Sequence, residues 1–253
     1  MIDIHAHYDD EAFDGDRDEL LNSLFNEHGV TAIINAGCNI ESSLYSIQLA
    51  EKYEGVYAAV GFHPQEVAKF SEDGFDQIKQ MINHPKVVAI GEIGLDYHYG
   101  TDDKELQKEM LRRQLQLAVD TDMPVIIHER DCVADCLEIV FDYDVKGVFH
   151  AFSGSKETAK LLLDKGWYIS FPGTVTFKNA KHPVENAAFV PEDRILTETD
   201  CPYLTPQIFR GQINYPKYVR YVVEEIAKLK EIEVNIVAKQ VKQNAKNLFT
   251  KIK

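Results

Sequence analysis

The sequence has little with which to cross a membrane, build a disulfide scaffold or coat a nucleic acid. No apolar run approaches the roughly 20 residues that a membrane-spanning helix needs. Cysteine is scarce: in 253 residues only Cys38, Cys132, Cys136 and Cys201 occur, with no Cys-x-x-Cys pair, so free and mostly buried thiols are expected and a zinc or redox role for them is not. Bases are outnumbered, 27 Lys and Arg against 41 Asp and Glu, for a formal charge of -14. A surface of that sign repels polyanions at long range, which excludes tight coating of nucleic acid but leaves room for a local cationic pocket. Low-complexity tracts and linkers are absent as well. The opening residues MIDIHAHYDD lack the basic start and apolar stretch of a secretory leader, so a cytoplasmic location is expected.

What is present is a regular alternation. Short, β-branched apolar runs at 2–7, 31–36, 56–61, 87–92, 125–128, 147–150, 167–171 and 195–198 read as strands. Between and after them, segments of helical period lie at 17–28, 44–53, 75–83, 105–122, 133–143, 156–165, 217–230 and 234–252. Ser155 followed by Thr158 can start a helix that Gly166 stops. Eight strands alternating with helices, with no linker, predict one α/β domain over residues 1–253, a (β/α)8 TIM-type barrel. The stretch 172–191 shows no obvious element and the last two helices follow each other without a strand, so the second half is expected to be distorted.

Nearly every strand ends in a group that can hold a metal ion or a phosphate, and barrels do their chemistry at that C-terminal rim. The first ends His5-Ala6-His7, two imidazoles on the same side of a strand. The third ends in His63, the fourth in Glu92, the fifth in His128, the sixth in His150 and the eighth runs to Asp200. Each alone has an ordinary explanation: a satisfied histidine pair, a turn cap before Pro64, a hydrogen-bonded core histidine. Together His5, His7, Glu92, His128, His150 and Asp200 make a nitrogen and oxygen donor set large enough for two divalent ions, with Glu92 placed to bridge them. Such ligands suit zinc, manganese, iron or magnesium without choosing among them. Two ions about 3.5–4 Å apart can activate water and stabilise the attacking and leaving oxygens of phosphoryl transfer.

Read in order, Asp3-Ile-His-Ala-His7, Gly61-Phe-His-Pro64, Gly91-Glu-Ile-Gly-Leu-Asp96, Ile127-His-Glu-Arg-Asp131, His150-Ala-Phe-Ser-Gly154, Glu198-Thr-Asp-Cys-Pro-Tyr-Leu204 and Asn244-Ala-Lys-Asn-Leu-Phe249 resemble the TatD-type metal-dependent deoxyribonuclease family of amidohydrolase-like TIM barrels. Arg210-Gly-Gln-Ile-Asn-Tyr-Pro216 resembles a further stretch of it, while Tyr8, Glu129 and Cys201 depart from its usual residues. The resemblance implies a cytosolic hydrolase that cleaves DNA phosphodiesters with a metal-activated hydroxide, as a 3′ exonuclease on single strands or ends. It implies that His5, His7, Glu92 and Asp200 hold one ion (Zn, Mg or Mn), that Glu92, His128 and His150 hold a second, and that His63 faces the substrate phosphate. Arg130 and Arg210 are further candidates for phosphate oxygens, Glu92, Asp200 and His63 for the catalytic groups, and Phe62, Tyr97, Tyr99, Phe152 and Tyr203 for base stacking. The expected partner is a weakly held DNA end or single strand, with neither membrane nor obligate protein partner. The same site would also suit a small ester, amide or phosphoester or an aminoacyl-RNA ester, and a barrel that had lost catalysis would be a binding protein; no predicted ligand is missing here.

Overall fold

The computed structural model describes residues 1–100 and 102–253. Eight strands, β1 (Ile2–Ala6), β2 (Ala32–Ala36), β3 (Val56–Val60), β4 (Val87–Asp96), β5 (Val125–Arg130), β6 (Gly147–Phe149), β7 (Tyr168–Phe171) and β8 (Ile195–Thr197), form one sheet in chain order, every neighbouring pair parallel. Parallel neighbours need crossovers. These run through α1 (Arg17–Glu27), α2 (Ile40–Lys52), α3 (Glu72–Met81), α4 (Lys104–Thr121), α5 (Val133–Val140), α6 (Lys156–Asp164) and α7 (Lys181–Phe189), and α8 (Val219–Lys230) and α9 (Val234–Leu248) complete the ring. This is the predicted (β/α)8 barrel. β1 to β4 are buried along their whole length, which is why their sequences are apolar runs and not alternating ones.

Caps set the helix starts. Asn39 and Ser42 form a reciprocal capping box on α2, and the Ser155 hydroxyl accepts from Thr158 N at 3.2 Å at the head of α6, whose end is marked by Gly166 at φ 83°. Two expectations are corrected. The stretch 172–191 does hold a helix, α7, together with a short 3-10 turn at Gly173–Thr176. Its Pro183 reads as a breaker in sequence but sits in the first turn, where a missing N–H costs nothing. Glu92 is also not at a strand end, because β4 continues to Asp96. The extension depends on Gly94: a Cβ there would lie 1.9 Å from the His128 carbonyl oxygen, so only glycine lets β4 and β5 approach with Gly94 opposite His128.

The second half is irregular as expected. β6 and β8 have three residues each, and β8 meets β1 mainly through the segment that follows it. Asp200 N donates to His5 O at 2.9 Å and His7 N to Cys201 O at 2.8 Å. Beneath them the buried Asp3 carboxylate accepts from Thr199 N (2.9 Å), Thr199 Oγ1 (2.5 Å) and His5 N (3.3 Å). Asp3 thus fastens the His5-x-His7 strand to the Asp200 turn. From outside, Asn214 Nδ2 donates to the Thr199 and Tyr203 carbonyls, and Asn244 of α9 to those of Glu192 and Ile195.

This seam makes a stability prediction. Asp3→Ala leaves the Thr199 donors unpaired and should cost about 1–3 kcal/mol. Burial pushes the Asp3 carboxyl from 3.8 up to about 8, the Thr199 hydrogen bonds opposing it. The folded state therefore holds the proton more tightly than the unfolded one, and Asp3's contribution falls as pH rises between those values. Asp3→Asn should flatten that part of the pH dependence in urea titrations; a slope identical to the parent's would assign it to another group.

Candidate metal centre

At the C-terminal rim the seven predicted groups converge on one cavity of about 950 Å3 whose lining includes His7, His63, Glu92, His128, His150 and Asp200, with His5 fully buried beneath. Glu92 stands at the middle, brought there by β4, and each of its oxygens faces a different cluster. Oε2 lies 3.2 Å from His5 Nε2 and 3.6 Å from His7 Nε2. Those two nitrogens are 3.1 Å apart and lie 3.6 and 3.4 Å from Asp200 Oδ1. Oε1 lies 2.7 Å from His128 Nδ1, 2.8 Å from His150 Nε2 and 3.5 Å from His63 Nε2, and the first two of these nitrogens are 3.3 Å apart.

The outer nitrogens indicate which ring atoms are free. A carbonyl can only accept, so His7 Nδ1, 3.1 Å from Ala36 O, carries its proton there and turns a lone pair inward at Nε2. His128 Nε2 donates to Asp96 Oδ2 at 3.1 Å, leaving Nδ1 for the cluster. His63 is the reverse case: its Nδ1 accepts from Gln65 N at 3.1 Å, so in the neutral ring Nε2 carries the hydrogen into the cavity. With the rings neutral, the lone pairs of His128 Nδ1 and His7 Nε2 therefore face the oxygens of Glu92 and Asp200 at 2.7 and 3.4 Å, an arrangement that needs either added protons or a shared cation between them. Such a set fits divalent cations, and it contains several three-ligand groups: His5, His7 and Asp200; His5, Glu92 and His150; His63, Glu92 and His128.

Electrostatics agree with that fit. Burial alone would raise the Glu92 carboxyl, but His150, His63, His5 and His128 hold it well below its ordinary value. Burial likewise opposes ionisation of Asp200, and the His7 hydrogen bond with the neighbouring imidazoles lowers it. For His7, burial is outweighed by Cys38 and Asp200, for His128 by Asp96 and Glu92, and for His150 by Glu92 and Glu198, so all three sit above the usual 6.5. His63 goes the other way: burial pulls it down to about 4 and keeps it neutral. Without cations this is an acidic mouth. Arg130 is the one Lys or Arg among its described lining residues, its guanidinium 5.4 Å above the Tyr99 ring, against seven Asp and Glu.

Other expectations fare differently. Arg210 does not line the cavity; it stacks at 4.9 Å on Phe177, which does. Of the five aromatics, Phe62 and Phe152 are buried in the core, and Tyr97 lies outside the cavity lining with Lys104 Nζ 5.0 Å over its ring, so none of these is placed to receive a base. Tyr99 and Tyr203, 74% and 56% exposed, remain at the mouth. All four cysteines are free, as expected, but Cys38 is not remote: its Sγ is 3.9 Å from His7 Nδ1, and it forms a fourth group with His7 and Glu92. Sequence reasoning also passed over Asp96 and Glu198 as partners of the histidines, although both stand inside the motifs quoted above.

Comparison with known proteins agrees with this architecture. The chain is 42% identical over 252 residues to the uncharacterized metal-dependent hydrolase YabD of Bacillus subtilis (strain 168), covering 98% of both chains. It is 36% identical over 257 residues to the uncharacterized metal-dependent hydrolase YcfH of Escherichia coli (strain K12), covering 98% of this chain and 95% of that one. Among solved structures, YJJV, a TatD homolog from Escherichia coli K12, superposes with a TM-score of 0.92 at 33% identity over 99% and 98% of the two chains. A TatD family hydrolase from Entamoeba histolytica, at 24% identity over 98% and 97%, shares the fold with a TM-score of 0.88. The profile described as TatD related DNase matches residues 2–250, and the chain belongs to that family of metal-dependent hydrolases.

Proposed function

We propose that the protein is a two-ion phosphodiesterase that trims DNA from a 3′ end or along a short single strand. The observation that carries this reading is Glu92, whose two oxygens each face a separate histidine cluster. His5, His7, Glu92 and Asp200 would hold one divalent ion and Glu92, His128 and His150 the other, the choice among Zn, Mg and Mn being left open by the ligand chemistry. When bound, such ions supply Lewis acidity, lower the pKa of water and offset the charge of a transferring phosphoryl group.

The chain's own groups do the rest. Asp200, ionised and directed at the cluster, accepts a proton from the water whose oxygen bonds to phosphorus, and returns it to the sugar oxygen of the shortened strand as the bond between that oxygen and phosphorus breaks. His63, neutral, donates from Nε2 to a non-bridging phosphate oxygen. Arg130 can place its fork on a neighbouring phosphate, and Tyr99 and Tyr203 can stack a terminal base. One arginine at an acidic mouth gives weak, salt-sensitive binding and distributive trimming. Arg210, outside the cavity, would touch only a longer strand. The single hydrolase unit over residues 1–253 needs no protein partner for this chemistry.

The test is digestion of end-labelled single-stranded and duplex DNA by chelator-stripped protein with Mg2+, Mn2+ or Zn2+ restored separately. Shortening that needs the metal supports the reading and shows the polarity. Intact DNA despite bound metal would reject it and redirect attention to small esters and aminoacyl-RNA.

A pH dependence accompanies the metal. His7, His128 and His150 have folded-state pKa values above 6.5, so in the metal-free protein their protonated forms contribute stability that is full below 6.5 and is lost as pH rises through those values. Metal needs the same rings neutral and binds more tightly over that rise. The gap between the melting temperatures of metal-loaded and chelated protein should therefore widen as pH is raised from 6.5. A gap constant with pH would remove these histidines from the metal site.

A further inference from the structure

The two histidine clusters differ in how they are charged and held from behind. The His5, His7 and Asp200 cluster has a carboxylate of its own in direct reach, but its outer ring nitrogens have only a neutral partner or none: His7 Nδ1 meets the Ala36 carbonyl and His5 Nδ1 has no hydrogen-bond partner. The His128 and His150 cluster has no direct carboxylate beyond the shared Glu92, yet each ring has one at its back. Asp96, its side chain 1% exposed, receives His128 Nε2 at 3.1 Å and is itself fixed by Gln65 Nε2 at 2.6 Å and His98 N at 2.9 Å. Glu198, fully buried, accepts from Ala151 N at 2.6 Å, and its Oε1 lies 3.4 Å from His150 Nδ1. The buried His150 Nδ1 lacks a hydrogen-bond partner, although the Glu198 carboxylate stands just beyond hydrogen-bonding geometry from it, and the second oxygen of that carboxylate, Oε2, is unpartnered too.

We propose that Asp96 and Glu198 are positioning residues for the ion at His128 and His150, supplying from behind the rings the negative charge that the direct ligands lack. A carboxylate on the far nitrogen fixes which ring atom keeps its lone pair, locks the ring plane and makes the imidazole a stronger donor. A slight turn of the His150 ring, pulled by a cation at Nε2, would close its Nδ1–H on Glu198 Oε1 and give that nitrogen its missing partner. The inference rests on the two-ion reading above but not on DNA as the substrate.

Calorimetric titration of chelator-stripped protein with Mn2+ or Zn2+ tests it, on the parent, Asp96→Asn and Glu198→Gln, with far-ultraviolet circular dichroism to establish that each is folded. The parent should take up two equivalents. Each variant should weaken one equivalent by about 10- to 100-fold and leave the other unmoved. Asp200→Asn should weaken the opposite one. A purely structural role would instead lower the melting temperature and weaken both equivalents together. That pattern, or parent-like isotherms, overturns the proposal, and if Glu198→Gln fails to fold, Asp96→Asn decides. Fewer than two equivalents in the parent overturns the two-ion reading itself.

Discussion

Glu92→Ala should abolish hydrolysis, by about a thousandfold or more, while leaving the barrel folded. The magnitude follows from its position: one carboxylate oxygen serves each cluster, so its loss takes the only shared anionic ligand from both ions at once, and several kcal/mol of charge stabilisation disappear together. The metal count should fall in parallel. Glu92→Gln is the sharper version, since it keeps the shape and removes only the charge. Activity is measured on end-labelled DNA with metal in excess and metal content after desalting. Parent-level activity in either variant would trace the cleavage to another site or to a contaminating nuclease.

Asp200→Asn should be nearly as severe and different in kind. The substitution removes the proton acceptor, worth about 10²- to 10⁴-fold, together with one direct ligand of the His5 and His7 ion. The His128 and His150 ion, on the far oxygen of Glu92, should stay. Turnover is therefore lost with about half the metal retained, where Glu92→Ala loses both. The backbone should tolerate the change well. Asp200 sits in the left-handed region at φ 56°, a conformation that Asn adopts as readily as Asp, and its N–H bond to His5 O is unaffected. A variant that loses both ions, or retains turnover, would contradict the assignment of Asp200.

The barrel and the convergence of the candidate ligands on its rim were legible for the same reason. Parallel strands buried on both faces leave apolar runs, and a polar residue placed after such a run lands on the rim, so His5, His7, His63, His128, His150 and Asp200 can be read from order alone. What could not be read depends on distances between strands. Nothing in the sequence says that β4 runs on past Glu92, because that requires Gly94 to lie against the His128 carbonyl. The closing seam is invisible for a similar reason: Asp3 looks like one more acid before a histidine, while its work is to bind Thr199 from the other end of the chain. Proximity in sequence also misled where burial decides. Phe62 and Phe152 adjoin the motifs but pack inward, whereas Cys38, on the loop after β2, comes to the edge of the centre. α7 was hidden by Pro183, which looks like a stop and is part of a start. Asp96 and Glu198 were in view as letters, but which imidazole a carboxylate backs is fixed only when β4, β5, β6 and β8 are laid side by side.

The central claim is that Glu92 sits between two ions. The most direct measurement is anomalous diffraction at the metal absorption edge from crystals of the chelator-stripped protein reloaded with Mn2+ or Zn2+. Two peaks are expected, one among His5, His7 and Asp200 and one between His128 and His150, with an oxygen of Glu92 on each. A single peak, or peaks away from Glu92, would contradict it.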